Sequence, residues 1–137
     1  CLRYFNVYSE DQPYGGAYST AISAWMESAR RGLPMRIDGD GEQTRDFIHI
    51  SDVVNANIFC MQSPRYFGGE IMNVGTGTSV SLNSIKDYLE RRGFKNWKRA
   101  PTRQGDVRNS VANISGMISI GWEPEINIME GLKRCFK

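Results

Sequence analysis

Arg45 stands between a glycine-rich turn and a short apolar run, in Gly39-Asp40-Gly41-Glu42-Gln43-Thr44-Arg45-Asp46-Phe47-Ile48-His49-Ile50. A guanidinium in that setting suits the gripping of phosphate oxygens, because its planar donor fork engages two oxygens at once and keeps its proton near neutral pH. A second arginine, Arg103, is followed three residues later by Asp106. A carboxylate offers acceptors to a diol while a nearby arginine offsets diphosphate charge, so such a pair can tell a nucleotide from simple phosphate. Plain structural readings stand beside these: Asp106 lies in a Gly-Asp turn, and Arg45 could pair internally with Asp46.

Other chemistry is argued against by spacing. Asp38-Gly39-Asp40-Gly41-Glu42 opens like a calcium loop, but Gln43 occupies the sixth position, where glycine is needed, and His49 the twelfth, where a bidentate Glu belongs. Gly75-Thr76-Gly77-Thr78-Ser79 follows a strand-like run and lacks the Gly-Lys-Ser/Thr of a phosphate loop, so it reads as a turn with a helix cap. His49 is the only histidine and has no nucleophile partner in a recognisable arrangement. Cys1, Cys60 and Cys135 are an odd count without metal-ligand spacing, which supports neither a disulfide framework nor a zinc site.

The elements that must position these residues alternate in type. Leu2 to Tyr8 reads as a buried strand, closed by the turn from Ser9 to Pro13. Ile22, Trp25, Met26 and Ala29 recur at helical spacing after a cap at Ser19 or Thr20, and Gly32 with Pro34 stops the run. Met35 to Asp38 and Asp46 to Ile50 read as strands. Ser51 or Asp52 is expected to cap a helix with Val53, Val54, Asn57, Ile58 and Met61 on one stripe. Glu70 to Val74 is a further strand, and Leu82, Ile85 and Leu89 mark a helix ending near Gly93. Helices over Ile114 to Ile120 and Ile128 to Phe136 flank the turn Gly121-Trp122-Glu123-Pro124. The alternation predicts an α/β domain without internal repeats.

Length and charge bound the rest. A chain of 137 residues can bury a core as one domain, and 17 basic against 15 acidic residues are too balanced to form a nucleic-acid or membrane-surface footprint. We expect no nucleic acid and no membrane partner, since no apolar run approaches the length of a bilayer span. Reduced cysteines and the lack of a signal sequence predict a cytoplasmic location. A start at Cys1, inside a strand-like run, suggests a truncated or processed product.

Four collinear segments carry a family resemblance: Leu2 to Tyr8, Gly39 to Val54, Gly69-Glu70-Ile71-Met72-Asn73-Val74-Gly75, and Arg103-Gln104-Gly105-Asp106-Val107-Arg108, with Gly121-Trp122-Glu123-Pro124 matching the closing turn. Together they resemble the carboxyl-terminal half of extended short-chain dehydrogenases of the UDP-glucose 4-epimerase-like group. The resemblance implies the small substrate-binding lobe, plus the strand and helix that return to a Rossmann lobe. The Rossmann half itself is absent: there is no Gly-x-x-Gly-x-x-Gly or Gly-x-Gly-x-x-Gly for a pyrophosphate, and no tyrosine followed four residues later by lysine.

The same resemblance implies roles. Arg45 matches the arginine that reaches the nucleotide diphosphate or ribose, Arg103 the one that clamps the diphosphate, Asp106 the acceptor for ribose hydroxyls, and Asn6 an asparagine on the sugar diphosphate. Asn6 could equally be a strand-end residue bonding local backbone. Arg36 and Ile37 align with a strand whose backbone reads a pyrimidine edge. Three departures stand out. Asp38 occupies a commonly aromatic position and cannot stack on a base, Ser9 replaces a frequent glycine, and Phe47 replaces a tyrosine found in some epimerases. Uridine is the favoured base, with thymidine, guanosine and adenosine open.

The chain is therefore expected to bind a nucleotide-diphosphate sugar as the substrate lobe of a sugar epimerase or dehydratase. No catalytic residue, metal or bound cofactor is expected here; NAD is implied for the whole enzyme, and the isolated chain should be inactive. The unpartnered apolar face predicts a homo-oligomer or a separate Rossmann-lobe partner. Alternatives are a non-catalytic assembly module and one half of a split enzyme.

Overall fold

The computed structural model describes residues 1–15 and 19–137. The aromatic amino-terminal run forms two strands, β1 (Leu2–Tyr4) and β2 (Val7–Tyr8), where one was expected. They part company because each pairs with a different neighbour. Thr20 then caps α1 (Ala21–Arg30), its hydroxyl accepting from the Ser23 amide at 3.3 Å, and Ile22, Trp25 and Met26 form the buried stripe. β3 (Met35–Asp38) follows with the expected bounds.

The run from Asp46 to Ile50 is broken as well. β4 (Thr44–Arg45) and β5 (Ile48–His49) flank Asp46 and Phe47, and α2 (Ile50–Gln62) begins at once. Its cap is His49, whose Nδ1 accepts from the Ser51 amide at 3.2 Å, rather than Ser51 or Asp52. Asp52 faces inward and accepts the Glu125 and Ile126 amides at 3.1 and 3.0 Å, tying α2 to a distant loop. Next come β6 (Met72–Val74), β7 (Val80–Ser81), α3 (Leu82–Arg91), β8 (Trp97–Ala100), α4 (Ser115–Ser119) and α5 (Ile128–Cys135). Ser81 caps α3 and Asn127 caps α5.

The strands make four two-stranded pairs: β1 with β6, β2 with β5 and β3 with β8 are parallel, and β4 with β7 is antiparallel. Two apolar clusters result. Tyr8, α1, β3, Phe47, α3 and α5 enclose one, centred on Ile22, Trp25, Ile37, Ile85 and Leu132. Ile48, Val53, Ala56, Val74, Met117 and Trp122 build the other. Each pair of strands is short, so it is these clusters and the side-chain bonds to loop amides that hold the elements in place.

β1 departs from the buried strand expected of it, with Arg3 and Tyr4 exposed. The expected stripe on α2 is divided likewise: Val53 is buried, whereas Ile50, Val54, Ile58 and Met61 lie on the outer face, Met61 at 84% exposure. Tyr4 adds to that face, its hydroxyl donating to Asn57 Oδ1 at 3.0 Å. Among the described residues no helix is long and apolar enough to cross a membrane.

Candidate functional site

A cleft of about 1200 Å³ opens between α1 and the β3–β8 pair. Asn6 and Phe47 line its inner end, the cap Thr20 with Ala24 and Ser28 of α1 one side, and Arg36, Asp38, Arg45, Lys98, Arg103 and Asp106 its polar wall. β3 sets Arg36 and Asp38 two residues apart, so both side chains fall on one side of the strand, and register pairs Arg36 with Lys98 of β8. The glycine turn closes the end of β3. Gly39 and Gly41 adopt φ of 69° and 77°, and a Cβ on Gly41 would stand 2.7 Å from Arg99 Nη1, so neither the backbone nor the space suits another residue.

Two charge groups share this wall. Asp38 accepts from Arg36 Nε on one carboxylate oxygen and from Arg103 Nε on the other. Asp106 accepts from Arg45 Nη2, and Arg45 Nη1 donates to the Thr44 carbonyl at 2.7 Å. Gln43 links the groups, its amide donating to the Asp38 carbonyl at 2.8 Å and to Asp106 Oδ2 at 3.3 Å. The Gln43 carbonyl oxygen is buried with no hydrogen-bond partner among the described residues. Just outside, Arg108 grips Asp40 through both carboxylate oxygens and holds its carboxyl down at about 2, well below the usual range.

Five of the six residues singled out from sequence line this one cleft: Asn6, Arg36, Arg45, Arg103 and Asp106. Ile37 does not; its side chain is 1% exposed in the core. The Arg36 carbonyl already accepts the Trp25 indole N–H at 2.7 Å. Asn6 lines the cleft and also makes the local bond, its amide donating to the Asp46 carbonyl at 2.9 Å. The side chains of Arg103 and Asp106 do not pair, although the Asp106 amide donates to the Arg103 carbonyl at 3.2 Å, and Arg45 pairs with Asp106 rather than with adjacent Asp46. Phe47 is a core residue, stacked edge-on to Tyr8.

Asp46 does a different job. Fully buried, it accepts from Thr76 N and Oγ1 at 2.8 and 2.6 Å, from Gly77 N at 3.0 Å and from Ala112 N at 3.0 Å. The Gly75 to Ser79 turn thus cradles an anion after all, an internal carboxylate instead of a phosphate. His49 is bonded at both nitrogens, Nε2 meeting Glu10 Oε2 at 3.0 Å. Among the described residues no group of His, Cys, Asp or Glu side chains could hold a metal ion.

Sequence reasoning missed Gln43, Lys98 and the side-chain role of Asp38. Lys98 was overlooked because β8 reads Trp-Lys-Arg-Ala, too polar for a strand signal; only its pairing with β3 reveals it. Gln43 has no signal by type, since its importance rests on Asp106, 63 residues away.

Fold and cleft together define a nucleotide-sugar epimerase architecture, and comparison with known proteins agrees. The family model described as "NAD dependent epimerase/dehydratase family" matches residues 1–75. The chain is 36% identical to the UDP-glucuronate 4-epimerase of Thermodesulfobacterium geofontis, over 97% of this chain and 40% of the relative. It is 33% identical to the UDP-glucose 4-epimerase of Mycolicibacterium smegmatis, over 94% and 41%. Among solved structures, the UDP-glucose 4-epimerase of Thermotoga maritima with UDP-glucose superposes with a TM-score of 0.85 at 36% identity, covering 98% of this chain and 43% of that one. This chain belongs to the NAD-dependent epimerase/dehydratase family and spans about two fifths of the length of the curated relatives it matches. It has the α/β fold of their carboxyl-terminal part.

Proposed function

We propose that residues 1–137 form the nucleotide-sugar-binding domain of an NAD-dependent sugar epimerase or dehydratase, with a UDP-sugar as the favoured ligand. The observation that carries this reading is the charge of the cleft. Its described lining holds four cations, Arg36, Arg45, Lys98 and Arg103, against two anions, Asp38 and Asp106. That excess complements the doubly ionised diphosphate of a nucleotide sugar. In this reading Arg103 and Arg45 hold the diphosphate side, Asp106 the ribose, Asn6 the sugar side, and β3 at Arg36 and Ile37 the base. Ile37 contributes backbone only.

NAD chemistry, in the whole enzyme, would be hydride removal from the sugar and its return; these residues orient the substrate and supply no proton-transfer group. The isolated chain is accordingly expected to bind without turnover. Calorimetric titration with UDP-glucose tests the reading. Saturable binding should weaken roughly 10- to 100-fold in Arg103→Ala, the worth of a charge-assisted hydrogen bond. A folded parent that binds no nucleotide sugar of a wider panel would sink it.

The outer face of α2 favours a second reading, an assembly surface for a second copy or a separately made Rossmann lobe. Ile50, Val54, Ile58 and Met61 recur at spacings of four, four and three on one exposed stripe. Light scattering at high concentration should find oligomers of the parent, and Ile58→Lys with Met61→Lys should restore the monomer. A strictly monomeric parent removes self-association and leaves the partner lobe, whose addition should then rescue NAD-dependent turnover.

A further inference from the structure

The loop from Ser9 to Gly15 lines the cleft at Gln12, Tyr14 and Gly15, yet none of its side chains enters either apolar cluster. Polar contacts must therefore fix it. Within the loop they are long or at the surface: the Gln12 amide donates to the Ser9 carbonyl at 3.4 Å, Thr20 Oγ1 to Gln12 Oε1 at 3.3 Å, and the Gly15 amide to Ser19 Oγ at 3.0 Å. Glu10 instead reaches a buried partner. Its carboxylate takes the Nε2–H of His49 at 3.0 Å, and its carbonyl accepts from Arg30 Nη2 of α1 at 2.9 Å. His49 is 1% exposed and held on its other sides, Nδ1 accepting from the Ser51 amide and the ring meeting Tyr8 edge-on at 5.3 Å. Because Nδ1 accepts, the proton of the neutral ring sits on Nε2, aimed at Glu10. The described lining of the cleft includes neither Glu10 nor His49. We propose that Glu10 is a positioning residue: through His49 it fixes the loop from Ser9 to Gly15 as a wall of the cleft, and so sets ligand affinity without touching the ligand. This rests on reading the cleft as a nucleotide-sugar site and adds what holds that site in shape. A loop ordered beforehand lowers the entropy lost on binding.

Calorimetry and hydrogen exchange on the whole chain test this role. In Glu10→Ala the affinity for UDP-glucose should fall roughly tenfold, about one charge-assisted bond. The amides of Gln12 and Gly15 should exchange faster than in the parent, while those inside α1 and α5 keep their protection. Glu10→Gln keeps an acceptor within reach of His49 and should lose only roughly threefold, since a neutral bond is about half as strong. Acid separates positioning from packing. The groups facing the Glu10 carboxylate are His49, Arg134 of α5, and the buried, protonated Tyr8 and Cys135, with Arg30 on its carbonyl. A bond from its own amide, with His49 adding to it, holds the carboxyl below its ordinary 4.5. The advantage of the parent over Glu10→Gln should therefore be constant above pH 4.5 and vanish as pH falls through that lowered value. The cleft carboxylates are the same in both proteins and cancel from the ratio. A Glu10 that only stabilises the fold would lower the melting temperature and leave affinity and the acid profile alone, and that outcome overturns the proposal. A folded parent that ignores nucleotide sugars overturns it together with the cleft reading, whereas binding that weakens in Arg103→Ala but not in Glu10→Ala removes the tether alone.

Discussion

Asp46→Asn should destabilise this chain by about 3 kcal/mol, although it changes one atom in a side chain far from any solvent. Each carboxylate oxygen of Asp46 receives two donors, Oδ1 those of Thr76 and Oδ2 the amides of Gly77 and Ala112. An asparagine must turn its NH2 toward one of these pairs; the Thr76 hydroxyl can rotate to accept, donating to the Thr78 carbonyl, but at least one backbone N–H is then left facing a donor. The site cannot widen cheaply. A Cβ on Gly75 would already stand 2.6 Å from Ala112 Cβ and 2.8 Å from Asp46 Oδ2, so the turn is pressed against the carboxylate. Urea unfolding of parent and variant gives the number directly. A loss under about 1 kcal/mol would mean that the turn can rearrange and that the close contacts hold little energy.

The second large effect is expected at Gly131, and its sign is contrary to helix propensity. Glycine inside a helix ordinarily costs about 1 kcal/mol relative to alanine. Here Gly131 of α5 lies flat against Tyr8, and an alanine methyl would overlap the phenolic oxygen and stand 2.6 Å from Cζ. Tyr8 is 1% exposed and wedged edge-on between Phe47 and His49, so it has nowhere to retreat. Gly131→Ala should therefore lose about 2–3 kcal/mol, the scale of overpacking in a close-packed core. Tyr8→Phe should be nearly neutral, because the buried hydroxyl has no hydrogen-bond partner among the described residues, and it should relieve part of the Gly131→Ala penalty in the double variant.

Tyr8 also makes a pH prediction. Burial, with Cys135 and Asp52 adding to it, pushes the phenol above its ordinary value of 10.0. The folded chain keeps the proton while the unfolded chain gives it up, so this contribution is intact below pH 10 and is lost as pH rises beyond it. Tyr8→Phe should flatten that part of the alkaline decline.

Local signals carried much of this fold. α1, α3 and α5 are amphipathic at helical spacing and begin at side-chain caps, so their existence and faces follow from residues a turn apart. β3 was readable for a similar reason, lying between Pro34 and Gly39. The failures are long-range. Nothing in Leu2 to Tyr8 says that its two ends pair with different strands, and Trp97 to Ala100 becomes a strand only beside β3. Histidine caps a helix rarely enough that Ser51 and Asp52 were the natural choices; a loop 73 residues away claims Asp52 instead. In the cleft, residue types pointed to arginines that the fold brings to one wall, but their partners are chosen by the fold. Arg45 reaches Asp106 across 61 positions, past the adjacent Asp46, because Asp46 is turned inward toward the amides of Thr76, Gly77 and Ala112.

One stretch described above separates the two apolar clusters within consecutive residues. Phe47 enters the first, Ile48 the second, and His49 turns back to stack on Tyr8 in the first. This period of two makes the stretch intolerant of any change in length: a single inserted or deleted residue would send Ile48 toward the wrong cluster and Asp46 away from its amides. The exposed segment from Pro64 to Glu70 has no such alternation to preserve. Natural length variation in this chain should thus collect between α2 and β6 and spare the five residues from Arg45 to His49, where even a one-residue indel exchanges the two interiors.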